Sequence, residues 1–178
     1  MNYQIIFDKY YPEENEQRRI LLEHSRRVAD KALELARLHP EMQLDILFIE
    51  EAAMLHDIGI KECNAAGIHC FGTQPYICHG TIGAEMLRQE GYPRHALVCE
   101  RHTGTGLTLD YIETNNLQLP HRDLVPISLE EQLICFADKF FSKTHPEQEK
   151  TKEAALKSVA KFGDECAEKF NHWCKMFL

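Results

Sequence analysis

The stretch Met54-Leu55-His56-Asp57-Ile58-Gly59 constrains this chain more than any other. Leu44, Leu47, Phe48, Ala52 and Leu55 lead into it at helical spacing, so a buried helix runs into a histidine and an aspartate placed side by side. A buried ionised carboxylate is costly unless it is paired or bound to a metal. Alone, the doublet also reads as a helix C-terminus with a stray histidine and a capping turn, so the rest of the sequence must decide. Gly59 follows it as a residue that tolerates positive φ and can close the helix.

Most of the remaining sequence also has a helical period, and sustained period-2 alternation is absent. A short helix is expected over Tyr3 to Lys9. Pro12 then falls in the first turn of a long helix that stops near Pro40. Leu21, His24, Val28, Ala32 and Leu35 share one face of it, which points His24 inward. Asp45 caps the helix that reaches His56. Gly67, Gly72 and Pro75 break the pattern from Ile60 to Cys78, and a loop of that length between two histidine-bearing ends is expected to border a functional site. Helices follow from His79 or Thr81 to Glu90, closed by Gly91, and from Pro93 to His102. A short one spans Thr108 to Asn115. Ser128 and Glu131 form a capping-box pattern that opens a helix running to about Phe141. Beyond a polar connection near Pro146, Phe162, Cys166, Phe170, Cys174 and Phe177 recur at steps of three and four, with Gly163 as a break. The fold class read here is all-α: one helical bundle over residues 1–178, with a core of about 15–145 and a helical extension of about 147–178.

Composition narrows the function. Net charge is -8, which argues against an extended nucleic-acid-binding surface but leaves room for a small basic pocket. No apolar run is long enough to span a bilayer and no signal-peptide pattern opens the chain, so a cytoplasmic location is expected. Seven cysteines, with no CxxC pair, read as free thiols. Cys63, Cys70 and Cys78, with His69 and His79 beside two of them, match no strong zinc spacing. Cys99 and Cys135 read as small apolar packing residues.

Six polar residues fall on inward faces or loop edges of five separate helices or helix ends: His24, His56, Asp57, His79, His102 and Asp138. Each alone has an ordinary explanation as a satisfied core histidine or a capping aspartate. Together they supply enough imidazole and carboxylate donors for two metal ions. Their order resembles that of the HD superfamily of metal-dependent phosphohydrolases, in the branch labelled HDIG. The match is literal at His56-Asp57-Ile58-Gly59. It extends to His24-Ser25-Arg26-Arg27-Val28, His79-Gly80, Arg101-His102-Thr103-Gly104 and Ala137-Asp138-Lys139, covering residues 15 to 145 or so.

The resemblance implies a helical bundle with a metal centre in its core. It implies a first site of His24, His56, Asp57 and Asp138, and a second completed by His79 and His102 with Asp57 bridging. Two divalent ions, from among Fe, Mn, Zn, Ni, Co and Mg, are the implied cofactors. The motifs are also similar to those of HD-type hydrolases of symmetrical dinucleoside tetraphosphates, although the loop after Asp57 and the segment Ala137-Asp138-Lys139-Phe140-Phe141-Ser142-Lys143-Thr144 depart from them. The implied activity is hydrolysis of a phosphate mono- or diester, with a small nucleotide as the expected partner, by water activated between metals. A dinucleoside polyphosphate substrate and a non-catalytic binding module are the rival readings. A cation near the phosphate is required as well. Lys61, four residues past Asp57, and Arg27, three past His24, are the leading choices. Lys139, Lys143 and Arg122 stand behind them.

Overall fold

The computed structural model describes residues 1–145 and 147–178. Pro146, expected within the polar connection before the last helices, lies outside the described residues. The fold is all-α. Its helices are α1 (Tyr3–Tyr10), α2 (Glu16–Leu38), α3 (Ile46–Leu55), α4 (His79–Gln89), α5 (Pro93–Arg101), α6 (Leu109–Thr114), α7 (Leu129–Asp138), α8 (Lys152–Val159) and α9 (Asp164–Phe177). None of the described helices is long and apolar enough to cross a membrane.

Several boundaries follow from the capping chemistry. The Asp45 carboxylate accepts from Phe48 N, Pro93 opens α5, and Ser128 and Glu131 cap each other's backbone N–H groups at the start of α7. Gly91 and Gly163 close α4 and separate the last two helices, both at positive φ. Three expectations shift. Pro12 lies ahead of α2, because Asn15 caps it by accepting from Arg18 N. The helix expected to reach Phe141 ends at Asp138. The N–H groups of Lys139, Phe140 and Phe141 donate three residues back, which tightens the turn and ends the α-helical ladder. The stretch from Ile60 to Cys78 is more ordered than a bare loop: it holds a two-residue antiparallel ladder, β1 (Asn64–Ala65) with β2 (Cys70–Phe71), between short 3-10 turns.

The core sits where α2 and α3 pack on one another and on α7, with α5 against α3 and α4 against α5. The inward face expected for α2 is fully enclosed: Leu21, His24, Val28, Ala32 and Leu35 are all buried. A second layer joins α7 to α9, where Phe136 meets Phe170, Trp173 and Phe177 with ring centroids 5.2, 6.5 and 5.6 Å away. Aromatic pairs at such separations add to the apolar burial that holds the C-terminal helices on the bundle.

Gly59 does not act as a helix cap. It lies in the 3-10 turn Ile58–Glu62 without positive φ, and its role is close approach. A Cβ there would come within 2.2 Å of the His79 carbonyl oxygen and 2.4 Å of Gly83 N. The missing side chain lets α4 lie directly on the turn that follows Asp57, which is how His79 reaches the doublet. Gly59→Ala should therefore destabilise the fold by at least about 1–3 kcal/mol, the cost of overpacking a closed contact. Denaturant unfolding measures this, and a wild-type midpoint would contradict the contact.

Candidate metal centre

Each polar residue of the cluster arrives from a helix end or a helix face. His24 sits mid-way along α2, His56 and Asp57 follow the last turn of α3, and His79 opens α4. His102 follows α5, and Asp138 ends α7. The structure brings all six together. His24, His56, Asp57, His79 and His102 are at most 4% exposed. The Asp138 side chain is 12% exposed and faces a cavity.

Asp57 is the meeting point. Its Oδ2 lies 3.1 Å from His24 Nε2 and 2.9 Å from His56 Nε2, and its Oδ1 lies 3.4 Å from both His79 Nε2 and His102 Nε2. Asp138 Oδ1 lies 3.0 Å from His24 Nε2 and 3.5 Å from His56 Nε2. The donor atoms thus form two groups, His24-His56-Asp57-Asp138 and Asp57-His79-His102. Within each group all lie within 4.8 Å of one another.

The tautomers fit metal binding. The Nδ1 atoms of His56, His79 and His102 lie 2.6, 2.6 and 2.7 Å from the carbonyl oxygens of Ala53, Tyr76 and Cys99, each three residues back. A carbonyl only accepts, so each Nδ1 carries the proton and, in the neutral ring, each Nε2 presents a lone pair to the centre. Burial, with the neighbouring His102 and Lys143, pushes His79 down to about 3, and burial lowers His102 as well, so both rings are neutral. Their Nε2 atoms nevertheless face each other at 3.0 Å. Two lone pairs and the Asp57 Oδ1 converge there without a proton to share, an arrangement that a cation completes. The Nε2 atoms of His24 and His56 and both oxygens of Asp57 are likewise buried without an aligned hydrogen bond. Burial would lower His56, but Asp57 and Asp138 outweigh it and hold that imidazole up at about 9. Burial would raise both carboxyls, yet His56 and Lys143 hold Asp57, and Lys139 and the histidines hold Asp138, well below the ordinary carboxylate range. These residues fit divalent metal.

Four members of the cluster, His24, His79, His102 and Asp138, line a cavity of about 420 Å³. Ala65, Gly67, Ile68 and Tyr76, all from the segment between Lys61 and Cys78, line it, so that segment does border the site. The cations are not those favoured by sequence spacing. Lys61 turns away: its ammonium donates to the Tyr10 carbonyl at 2.8 Å and its backbone N–H to the Tyr11 hydroxyl at 3.1 Å. The 3-10 turn after Asp57 points it at α1. Arg27 sits on the partly exposed side of α2 with Glu23 at 4.0 Å. Arg122 forks onto the Glu100 carboxylate at 3.0 and 3.2 Å. Lys139, Lys143 and Lys150 line the cavity instead. Lys143 Nζ is 2.5 Å from Asp57 Oδ2, and Lys139 Nζ donates to Asp138 Oδ2 and the His102 carbonyl at 2.7 and 2.8 Å. Lys143 lies beyond the end of α7, where helical spacing carries no information about direction.

The cysteines form no metal site among the described residues: neither donor group contains one. The Cys63, Cys70 and Cys78 thiols donate to the carbonyls of Gly59, Ile68 and Gln118. Cys99 and Cys135 are buried packing residues whose thiols point at the Leu55 and His102 carbonyls.

Comparison with known proteins agrees with this geometry. The HD domain family model matches residues 21–142. The chain belongs to the HD domain family. An uncharacterized protein of Methanocaldococcus jannaschii is 34% identical over 127 residues, covering 70% of this chain and 68% of that protein. Two proteins named tRNA (cytidine(56)-2'-O)-methyltransferase are similar over part of their length. The one from Thermoplasma volcanium is 30% identical over 123 residues, 68% of this chain and 32% of that protein. The one from Picrophilus torridus is 31% identical over 144 residues, 75% of this chain and 38% of that protein. The chain spans about a third of those two relatives. No solved structure matches. Membership of the HD family places this chain among metal-dependent phosphohydrolases, and the cluster it forms is one that could hold metal.

If the buried donors of this HD domain bind divalent metal, chelated protein should gain thermal stability when a divalent ion is restored. Saturation at about 100 times the dissociation constant corresponds to about 2.7 kcal/mol. A midpoint unmoved by manganese, iron, cobalt, nickel, zinc or magnesium would contradict the assignment.

Proposed function

We propose that this HD domain hydrolyses a phosphate mono- or diester of a nucleotide, using two divalent ions that the two donor groups sharing Asp57 would hold. The sharing of Asp57 between two donor groups is the observation that carries this reading. His24, His56, Asp57 and Asp138 would hold one ion, and Asp57, His79 and His102 the other. When bound, such ions supply a nucleophilic water near neutral pH and withdraw charge from phosphoryl oxygens.

The chain's own residues do the rest. Lys139 and Lys150 are committed to backbone carbonyls: Lys139 to His102, and Lys150 to Phe141 at 3.2 Å. Lys143 pairs with Asp57 and lies over the Tyr76 ring, and among the described residues no backbone carbonyl takes its ammonium. Once Asp57 is engaged as a ligand, the Lys143 ammonium is free to meet an incoming phosphate and the charge that develops on it. The cationic role expected of Lys61 or Arg27 thus passes to Lys143. Lys139 is a positioning residue, because it ties the Asp138 carboxylate to the backbone at His102.

The lining also speaks to the substrate. Among the described residues lining the cavity, Asp138 is the only carboxylate, so the cavity attracts anions although the whole chain is acidic. Its volume falls near the small end of the range of about 300–1,000 Å³ for ligand pockets, which favours one nucleotide over a dinucleoside polyphosphate. The methyl-transfer activity in the names of two relatives is not carried over, since the gathered side chains are those of metal and phosphate chemistry.

Metal stoichiometry and hydrolysis of a nucleotide panel test the reading together. Folded wild type should hold two ions per chain. His79→Ala and His102→Ala should each hold close to one and lose most turnover, while Asp57→Asn should impair both sites. Lys143→Ala should keep both ions and lose about 10²–10³ in kcat. A wild type that holds one ion, with full activity in both histidine variants, would contradict the dinuclear centre. Two ions with no turnover on any phosphate ester would instead identify a binding module.

A further inference from the structure

The segment matched by the HD family ends at residue 142, yet the chain beyond it builds one wall of the cavity. Lys143, Lys150, Ser158, Val159 and Phe162 all line it. Phe162 ends the 3-10 turn Ala160–Phe162 that follows α8, is half-buried, and has its ring centroid 6.3 Å from that of Tyr111. It is held against the segment that follows a candidate ligand. Gly104, two residues past His102, has φ 61, and a Cβ there would lie 3.2 Å from the Phe162 ring. The same segment is tied to α9. The Thr105 hydroxyl donates to the Cys166 carbonyl at 3.4 Å, and Lys169 donates to the Thr105 carbonyl at 3.3 Å. Phe162 therefore has a fixed seat at the cavity and is not a loose surface aromatic.

Besides the hydroxyl residues Thr103, Ser142, Thr144 and Ser158, the lining is of two chemical kinds. One comprises metal-type donors and lysines. The other is apolar: Phe162 and Val159 from the C-terminal region, with Ile68 and the Tyr76 ring from the segment after the doublet. No carboxylate apart from Asp138 lines the cavity among the described residues, so a cationic organic group would find three lysines and no free counter-charge.

We propose that Phe162 is a specificity-determining residue and forms the subsite for an uncharged aromatic ring on the substrate, namely the base of a nucleotide. This rests on the phosphohydrolase reading for the phosphate end alone. Stacking on an aromatic side chain favours a ring-bearing ligand by about tenfold or more. It discriminates little between bases, because every base has a π face. The C-terminal helices thereby turn a family metal centre into a site selective for ring-bearing phosphate esters.

Binding of phosphonates, which cannot be hydrolysed, tests this without turnover. Titration calorimetry on manganese-loaded full-length chain would compare adenosine phosphonate, uridine phosphonate and ethylphosphonate. Wild type should bind both nucleoside probes at least tenfold more tightly than ethylphosphonate. Phe162→Ala should bring the three to within about threefold by weakening the nucleoside probes only, and Phe162→Tyr should keep the preference. The proposal is overturned by a wild type that shows no preference, including one that binds none of the probes. A preference that survives in Phe162→Ala, or equal weakening of all three probes, overturns it as well. Failure of the phosphohydrolase reading has a different signature: nucleotide esters would bind with this same preference and remain intact.

Discussion

The fold depends on a carboxylate that water does not reach. Asp57 is fully buried, and four imidazoles approach its two oxygens to between 2.9 and 3.4 Å. A buried charge of this kind is tolerable only with partners of opposite charge or a metal. Much of the architecture can be understood as delivering those partners. The long helix α2 crosses the bundle to place His24, α7 ends at Asp138, and α4 and α5 present His79 and His102 on facing turns. The surrounding layer fixes orientation, with backbone carbonyls setting the proton position on three of the four rings. Even the residue that follows α1 contributes, since the Tyr11 hydroxyl donates to the Ile58 carbonyl beside the doublet.

Much of this was legible in the sequence because it depends on local rules. Asp45, Ser128 with Glu131, Pro93, Gly91 and Gly163 mark helix boundaries through capping or backbone chemistry that acts over a few residues. The cluster was legible for a related reason. A histidine or aspartate on an apolar helix face must point into the core, and six such residues in family order leave few other arrangements. Gly59 was misread, because its neighbours His79 and Gly83 lie some twenty residues away and only packing shows that a side chain cannot fit. The end of α7 shifted for a similar reason: a tight turn and the Lys150 ammonium, not a residue with a strong stop signal, finish it.

The cations were the least legible part. A long flexible side chain reaches in any direction its backbone allows, so distance along the chain from Asp57 says little. Lys61 is near the doublet in sequence, yet the turn that carries it faces α1, where the Tyr10 carbonyl takes its ammonium. Lys143 lies far from the doublet in sequence and beyond its helix, yet it reaches the Asp57 carboxylate. The same holds for Phe162. Its helical spacing identified a packing residue, but nothing local placed it at the cavity. The family segment thus supplies the metal-type donors, and the chain after it supplies one wall of the cavity. This division accounts for a centre that is read easily and a substrate that is not.

We read the two donor groups around Asp57 as metal sites. Anomalous diffraction from a crystal of metal-loaded protein tests this reading most directly. Two peaks about 3.5–4 Å apart are expected, one on each side of the Asp57 carboxylate. Peaks located elsewhere in the molecule, or none near Asp57 at saturating metal, would contradict it.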